Sequence, residues 1–219
     1  MMTIQDLYAL EHTLAADYLS RFTWPWEALD GIKAEIIRLG ESLDPAEYTE
    51  VSPQVWVHKT ATVAPTAYLG APCIIGAKTE VRHGAFVRGS ALVGEECVVG
   101  NSVELKNVIL FDCVQVPHYN YVGDSILGYK SHMGAGSITS NVKSDKGLVV
   151  VRSAEGAIET GLKKMGAMLG DHVEVGCNSV LNPGTVIGRN SNVYPLSSVR
   201  GVVPAGSIHK QNGTVVTKR

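Results

Sequence analysis

Between Arg88 and Lys164 the chain gathers most of the side chains that could do chemistry: Arg88, Glu104, Lys106, His118, Tyr121, Asp124, His132, Asn141 and Lys164. His118 lies in Val116-Pro117-His118-Tyr119-Asn120-Tyr121, among apolar neighbours. An imidazole changes charge near neutral pH, so a positioned histidine can take the proton of an attacking amine or hydroxyl as a general base. Glu104, two residues before Lys106, is an acidic residue able to orient such a ring. Arg88 and Lys106 are cations of the kind that hold a phosphate, the guanidinium through two parallel hydrogen bonds. Plainer readings stay open at each position: a histidine satisfied by backbone carbonyls, and cations solvated at turns. Zinc held between histidines is a further reading. Only His118 and His132 are close in sequence, with no third ligand spaced near them, and no metal is expected.

The element that must position these residues has an unusual period. Starting at Val57 and counting in sixes gives Val57, Val63, Leu69, Ile75, Val81, Val87, Val93, Val99 and Leu105, all aliphatic and seven of them β-branched. Four residues after these positions come small or uncharged residues, Ala61, Ala67, Cys73, Thr79, Ala85, Ala91 and Cys97 among them. A period of six fits neither an amphipathic helix nor an alternating strand. It is the signature of a parallel β-helix built from hexapeptide repeats, each a short strand and a turn. Arg88 and Lys106 stand 18 residues apart, three hexapeptides, and are expected to stack on one face. The register slips after Leu105, breaks around Tyr121 to Gly128 and is lost between Asn141 and Gly166. A second clean ladder then runs through Leu169, Val175, Leu181, Ile187, Val193 and Val199. Repeat scaffolds tolerate such departures mostly on a binding face, so the breaks are where function is expected.

Residues 1–48 differ in kind and read as a helical N-terminal cap over an open end or side of the β-helix. Thr3-x-x-Asp6 has the form of a capping box, and a second helix is expected from Glu27 to Leu39, ended by Gly40. Residues 49–203 form the β-helix domain, with a loop excursion over 142–166, and residues 204–219 read as a C-terminal tail. The formal net charge is −2 with 18% charged residues, so no basic surface points to nucleic acid. Met1 to Leu19 is interrupted by Asp, Glu and His, which excludes a signal peptide or membrane span there; a cytoplasmic protein without membrane partners is expected. Four scattered cysteines without a C-x-x-C pair read as reduced thiols, Cys73 and Cys97 in inward slots of the repeat.

Three strings in this region carry a resemblance: Val99-Gly-Asn-Ser-Val-Glu-Leu-Lys106, His118-Tyr-Asn-Tyr-Val-Gly-Asp124 and Met133-Gly-Ala-Gly-Ser-Ile-Thr-Ser-Asn141. With a weaker continuation from Lys164 to Val203, over half the chain resembles the acetyltransferase domain of the bifunctional enzyme that makes UDP-N-acetylglucosamine. The whole chain is also similar to stand-alone proteins related to UDP-N-acetylglucosamine pyrophosphorylase, which carry a comparable short helical piece. The resemblance implies a left-handed β-helix and a homotrimer with active sites between subunits. It puts His118 on the catalytic base and Glu104 on the acidic residue near it. Arg88, Lys106, Tyr121 and Lys164 fall on residues that hold the sugar phosphate, and Ala135 and Asn141 on positions near the acetyl thioester. Lys210 falls on a basic residue facing the coenzyme A phosphates. Departures also stand out. His132 replaces a substrate-contacting asparagine, Val142 a tyrosine, and Cys177 and Pro195 small residues of the coenzyme A site. The excursion from Val142 to Lys163 is longer than in the family. No glycine-rich nucleotide loop precedes the repeats, so uridyltransferase activity is not expected.

The expected function is therefore acetyl transfer from acetyl-CoA to an amino sugar phosphate or nucleotide-linked sugar, with His118 as general base. The alternative, suggested by His132, Val142 and Pro195, is a non-catalytic trimeric scaffold or sugar-nucleotide-binding protein of the same fold.

Overall fold

From Val55 onward the chain winds as the parallel β-helix that the six-residue ladder predicts; the structure, a computed structural model, describes residues 1–218. Each coil lays one strand on each of three sides. The first side begins with Val55–His58, Cys73–Ile75 and Ala91–Val93. The second begins with Thr62–Val63, Glu80–Val81 and Val98–Asn101, and the third with Tyr68–Leu69, Phe86–Val87 and Glu104–Leu110. Successive coils pair in parallel, with Val57 over Ile75, Val63 over Val81 and Leu69 over Val87. The ladder points inward: Ile75, Val81, Val87, Val93, Val99 and Leu105 are all at most 1% exposed. Each such side chain removed from water contributes roughly 1.5–3 kcal/mol. Cys73 and Cys97 fill inward slots as free thiols, and burial pushes the Cys73 thiol up to about 12.

The slip after Leu105 has a local cause. Val87 stands four residues before Ala91, whereas Leu105 stands three before Val108, its counterpart on the first side. One residue is missing at the edge between the third and first sides, so Glu104–Leu110 crosses that edge as a single strand. Tyr121–Leu127 crosses it in the same way and pairs with it along its length. The chain leaves the solenoid at this edge after Ile138–Thr139 and returns at Ala167–Leu169. The excursion, expected as loop, contains an antiparallel hairpin, Val150–Ser153 with Gly156–Glu159. Val149 and Val151, both 0% exposed, anchor it to the core.

Of the two places open to the N-terminal segment, it takes the side. The helices Ile4–Leu7, Ala16–Leu19 and Ile32–Ser42, with 3-10 turns at Leu10–His12 and Pro25–Gly31, run along the first side. Backbone bonds fasten them to distant coils: Asp112 N–H donates to the His12 carbonyl and Asp171 N–H to that of Leu7, each at 3.0 Å. The Thr3–Asp6 capping box is present. Gly40, expected to end the second helix, lies inside it. Its role is close approach, since a Cβ there would sit 2.2 Å from the Trp56 ring.

One sheet edge at each end is covered by an antiparallel strand, Tyr48–Ser52 on Val55–His58 and Val215–Thr217 on Ser207–His209. Such covers block pairing with another chain. In the last coil, burial holds the His209 imidazole below its ordinary 6.5, and its Nδ1 is buried without a hydrogen-bond partner. The unfolded chain therefore binds the proton more tightly, and the penalty is fully felt at low pH. Stability should fall as pH drops through about 6.5 and recover above it. The thermal midpoint is expected to drop further between about pH 7.5 and pH 5.5 in the wild type than in His209→Leu. Equal drops would remove His209 from this account.

Candidate active site

The candidate residues gather on the two edges that bound the third side. At the edge between the second and third sides, backbone bonds stack a column coil by coil. Tyr119 N–H donates to Asn101 O, Gly136 to His118 O, Asn178 to Ala135 O and Leu196 to Cys177 O. His118, Ala135, Cys177 and Pro195 thus follow one another along this edge. Lys210 comes on the next coil, beside Tyr194, whose N–H donates to the His209 carbonyl. The register of two short strands, Gln115–His118 on Val98–Asn101, starts the column by setting His118 opposite Asn101.

His118 is exposed, and among the described residues its ring makes no hydrogen bond. Its backbone is braced by Asn120, a residue that sequence reasoning passed over. Asn120 Oδ1 accepts from His118 N–H at 3.1 Å, while Nδ2 donates to Gly134 O at 2.9 Å and Ser137 O at 3.0 Å. A buried asparagine of this kind leaves carbonyls unsatisfied when removed, so it holds the turn tightly. The signal for it was in the sequence only as one polar residue in an aromatic string. The Ala135 N–H, one coil along from His118, donates to no acceptor among the described residues. An imidazole beside a free backbone N–H can serve as a base next to an oxyanion donor.

On the third side itself Glu104 pairs with Tyr121 in register. The Arg88 Nη1 donates to Glu104 Oε1 at 2.9 Å, so that carboxylate is engaged by the guanidinium; no hydrogen bond joins Glu104 to His118. Arg88 and Lys106 do share a face, as their spacing predicts, because Arg88 N–H donates to Leu105 O.

The far edge, between the third and first sides, holds the second cluster. Its centre is Asp124, 4% exposed, with a left-handed backbone of φ 48°. Asp124 Oδ1 accepts from Lys106 Nζ at 2.7 Å and Asn107 Nδ2 at 3.0 Å, and Oδ2 from Asn141 Nδ2 at 2.5 Å. Asn141 Nδ2 also donates to the Tyr121 hydroxyl at 3.1 Å. Burial, and then the Asp124 carboxylate, raise the Tyr121 hydroxyl above its ordinary 10.0. Lys164 joins Lys106, Asn107, Asp124 and Lys163 around a cleft of about 340 Å³. Asn141 is therefore part of this cluster, whereas Ala135, the other position that the resemblance places near the acetyl thioester, stands in the His118 column. His132 lies on the outward face of the second side, its Nδ1 2.8 Å from Glu174 Oε2.

A family described as the GMPPB C-terminal domain matches residues 72–187, over half of the chain. The chain belongs to the GMPPB C-terminal domain family. The matched stretch of that domain contains His118, Ala135, Asp124, Asn141 and Cys177 and stops short of Pro195 and Lys210. The chain is also similar to the bifunctional protein GlmU of Methanococcus maripaludis, 32% identical over 136 residues, 62% of this chain and 33% of that one. The bifunctional sugar-1-phosphate nucleotidylyltransferase/acetyltransferase of Sulfurisphaera tokodaii is 35% identical over 109 residues, 50% of this chain and 27% of that one. YaiX of Escherichia coli, named as an uncharacterized acetyltransferase, is 32% identical over 152 residues, 61% of this chain and 66% of that one. The match thus spans a third or less of the two bifunctional relatives. No helix among the described residues is long and apolar enough to cross a membrane.

Proposed function

We propose that the protein transfers an acetyl group from acetyl-CoA to the amine of an amino sugar phosphate or nucleotide-linked sugar. The observation that carries this reading is the edge column in which exposed His118 adjoins the unpaired Ala135 N–H. His118 takes the proton as the acceptor nitrogen attacks the thioester carbon. The Ala135 N–H stabilises the oxyanion of the tetrahedral intermediate. The C–S bond then breaks, and the coenzyme A thiolate leaves and takes up a proton. Cys177, Pro195 and Lys210 continue the column as the track of the coenzyme, with Lys210 toward its phosphates.

Arg88, Lys106 and Lys164 hold the acceptor phosphate, which competes with Glu104 for Arg88 and with Asp124 for Lys106. Drawing Arg88 away frees the Glu104 carboxylate to orient the His118 ring. Tyr121 and His132 complete the acceptor contacts, and Asn141 lies at the meeting point of Tyr121 and Asp124.

A full side of the solenoid separates His118 from Lys106 and Lys164, more than one sugar ring spans, which supports a homotrimer that brings edges of neighbouring chains together. The outward column of the third side favours the same assembly. It reads Tyr68, Phe86, Glu104, Tyr121, Ile138 and Val180, with Tyr68 60% and Phe86 43% exposed. Light scattering should report a trimer that Phe86→Glu dissociates. The test of the activity is a panel of amino-sugar phosphates and nucleotide sugars with acetyl-CoA, followed by free thiol release. No release with any acceptor, together with no heat on titrating acetyl-CoA, would leave the non-catalytic scaffold as the better reading.

A further inference from the structure

The hairpin that interrupts the solenoid makes a second cleft on the far side of Asn141 from the Lys106 cluster. It has a volume of about 550 Å³ and lies between residues 140–154 and the solenoid edge at Asn182, Arg200 and Gly201. Its outer wall is held tightly. Gly184 and Gly201 both have positive φ, and a Cβ on them would stand 3.0 Å from Val150 O and 2.5 Å from Arg152 O. Only bare backbone lets the strand Val150–Ser153 lie this close to the edge, with its own Val151 and the preceding Val149 buried in the core.

The lining is polar and cationic. Lys143, Arg152 and Arg200 face one carboxylate, Asp145, which Lys143 engages at 3.1 Å. Neither Arg152 nor Arg200 has an ion pair or side-chain hydrogen bond among the described residues, unlike Arg38, Arg82 and Arg88, each of which pairs with a glutamate. The two guanidinium-bearing residues come together because the Arg152 backbone rests on Gly201, the residue after Arg200. Along the loop that lines the cleft, the backbone N–H groups of Val142, Lys143 and Ser144 donate to no acceptor among the described residues. Two planar forks of donors and successive free N–H groups, in a cleft of small-ligand size, fit the oxygens of linked phosphates.

We propose that this cleft binds a diphosphate group, with Arg152 and Arg200 as the principal contacts. The inference does not rest on acetyl transfer and is tested by binding alone. The full chain would be titrated calorimetrically with inorganic pyrophosphate, with UDP and with coenzyme A. Arg152→Gln and Arg200→Gln are then compared with wild type, alone and together. Both arginines are exposed and unpaired in the structure, so circular dichroism and thermal midpoint should stay as in wild type. Pyrophosphate affinity is expected to fall on the order of tenfold per arginine, the scale of a charge-assisted hydrogen-bond pair, and to weaken with added salt. A matching loss for UDP, with coenzyme A affinity retained, would assign the cleft to the nucleotide end of an acceptor. A matching loss for coenzyme A would assign it to the diphosphate of that molecule. Absence of binding of all three by wild type at millimolar concentration would overturn the proposal. So would unchanged affinities in the folded double variant.

Discussion

His118→Ala should lower kcat for acetyl transfer by roughly 10²–10⁴, the range that a positioned general base contributes. The expectation follows from what the ring touches and what it does not. Its backbone is pinned by Asn120, so the imidazole projects from a fixed turn, yet the ring is exposed and spends no donor or acceptor on the protein. A histidine kept for stability would be expected to satisfy its ring nitrogens. Removing this side chain should therefore leave the fold and the affinity for acetyl-CoA unchanged while turnover collapses. Single-turnover thiol release, with the thermal midpoint measured alongside, separates these effects. Full turnover in a folded His118→Ala protein would sink the assignment of the base. A midpoint lowered in step with activity would mean that the residue acts through the fold.

The solenoid was legible because its signal is covalent spacing alone. Val57 to Leu105 repeats every six residues, and each ladder side chain has to meet the one a coil away, so the pattern and the packing carry the same information. The chemistry was legible in part for the same reason. Arg88 and Lys106 share a face because their separation is one coil. Ala135 and Cys177 came from the resemblance and not from spacing, since a shortened coil and the excursion intervene; parallel strand pairing brings them back into line with His118. Other features depended on contacts that spacing does not encode. That Arg88 rests on Glu104 and Lys106 on Asp124 is decided by side-chain reach between neighbouring coils. That Asn141 bonds Asp124 and the Tyr121 hydroxyl is likewise a contact between side chains that the repeat spacing does not encode. Gly40 read as a helix stop because glycine has that propensity, but the Trp56 ring requires a residue without a Cβ there. The hairpin at Val150 was hidden because short strands in a polar excursion leave no period.

Asp124→Ala should be among the most destabilising single changes in the chain and, at the same time, should tighten phosphate binding if Lys106 is a phosphate ligand. Asp124 joins four parts of the molecule. It holds Lys106 from the strand Glu104–Leu110 and Asn141 at the start of the excursion. Asn107, which it also binds, donates to Leu29 O at 3.2 Å and so ties in the N-terminal segment. The Asp124 carbonyl accepts from Gly166 N–H at 2.8 Å, where the excursion closes. Loss of the carboxylate strands Lys106, 28% exposed, and two amides that have few other partners. Breaking a fully buried ion pair costs about 3–5 kcal/mol, and the partial exposure of Lys106 reduces this to about 2–4 kcal/mol. Asp124→Asn keeps an acceptor and the shape but removes the charge, and should fall between wild type and alanine. Denaturant unfolding gives these values directly, and a cost below about 0.5 kcal/mol for alanine would show that the cluster is not structural. The binding arm has the opposite sign. In the wild type a phosphate has to displace Asp124 from Lys106, whereas in Asp124→Asn the ammonium is already available. Glucosamine-1-phosphate should therefore bind Asp124→Asn more tightly than wild type even as stability falls. Parallel losses of stability and affinity would instead mean that Asp124 is needed to hold Lys106 in place for the ligand.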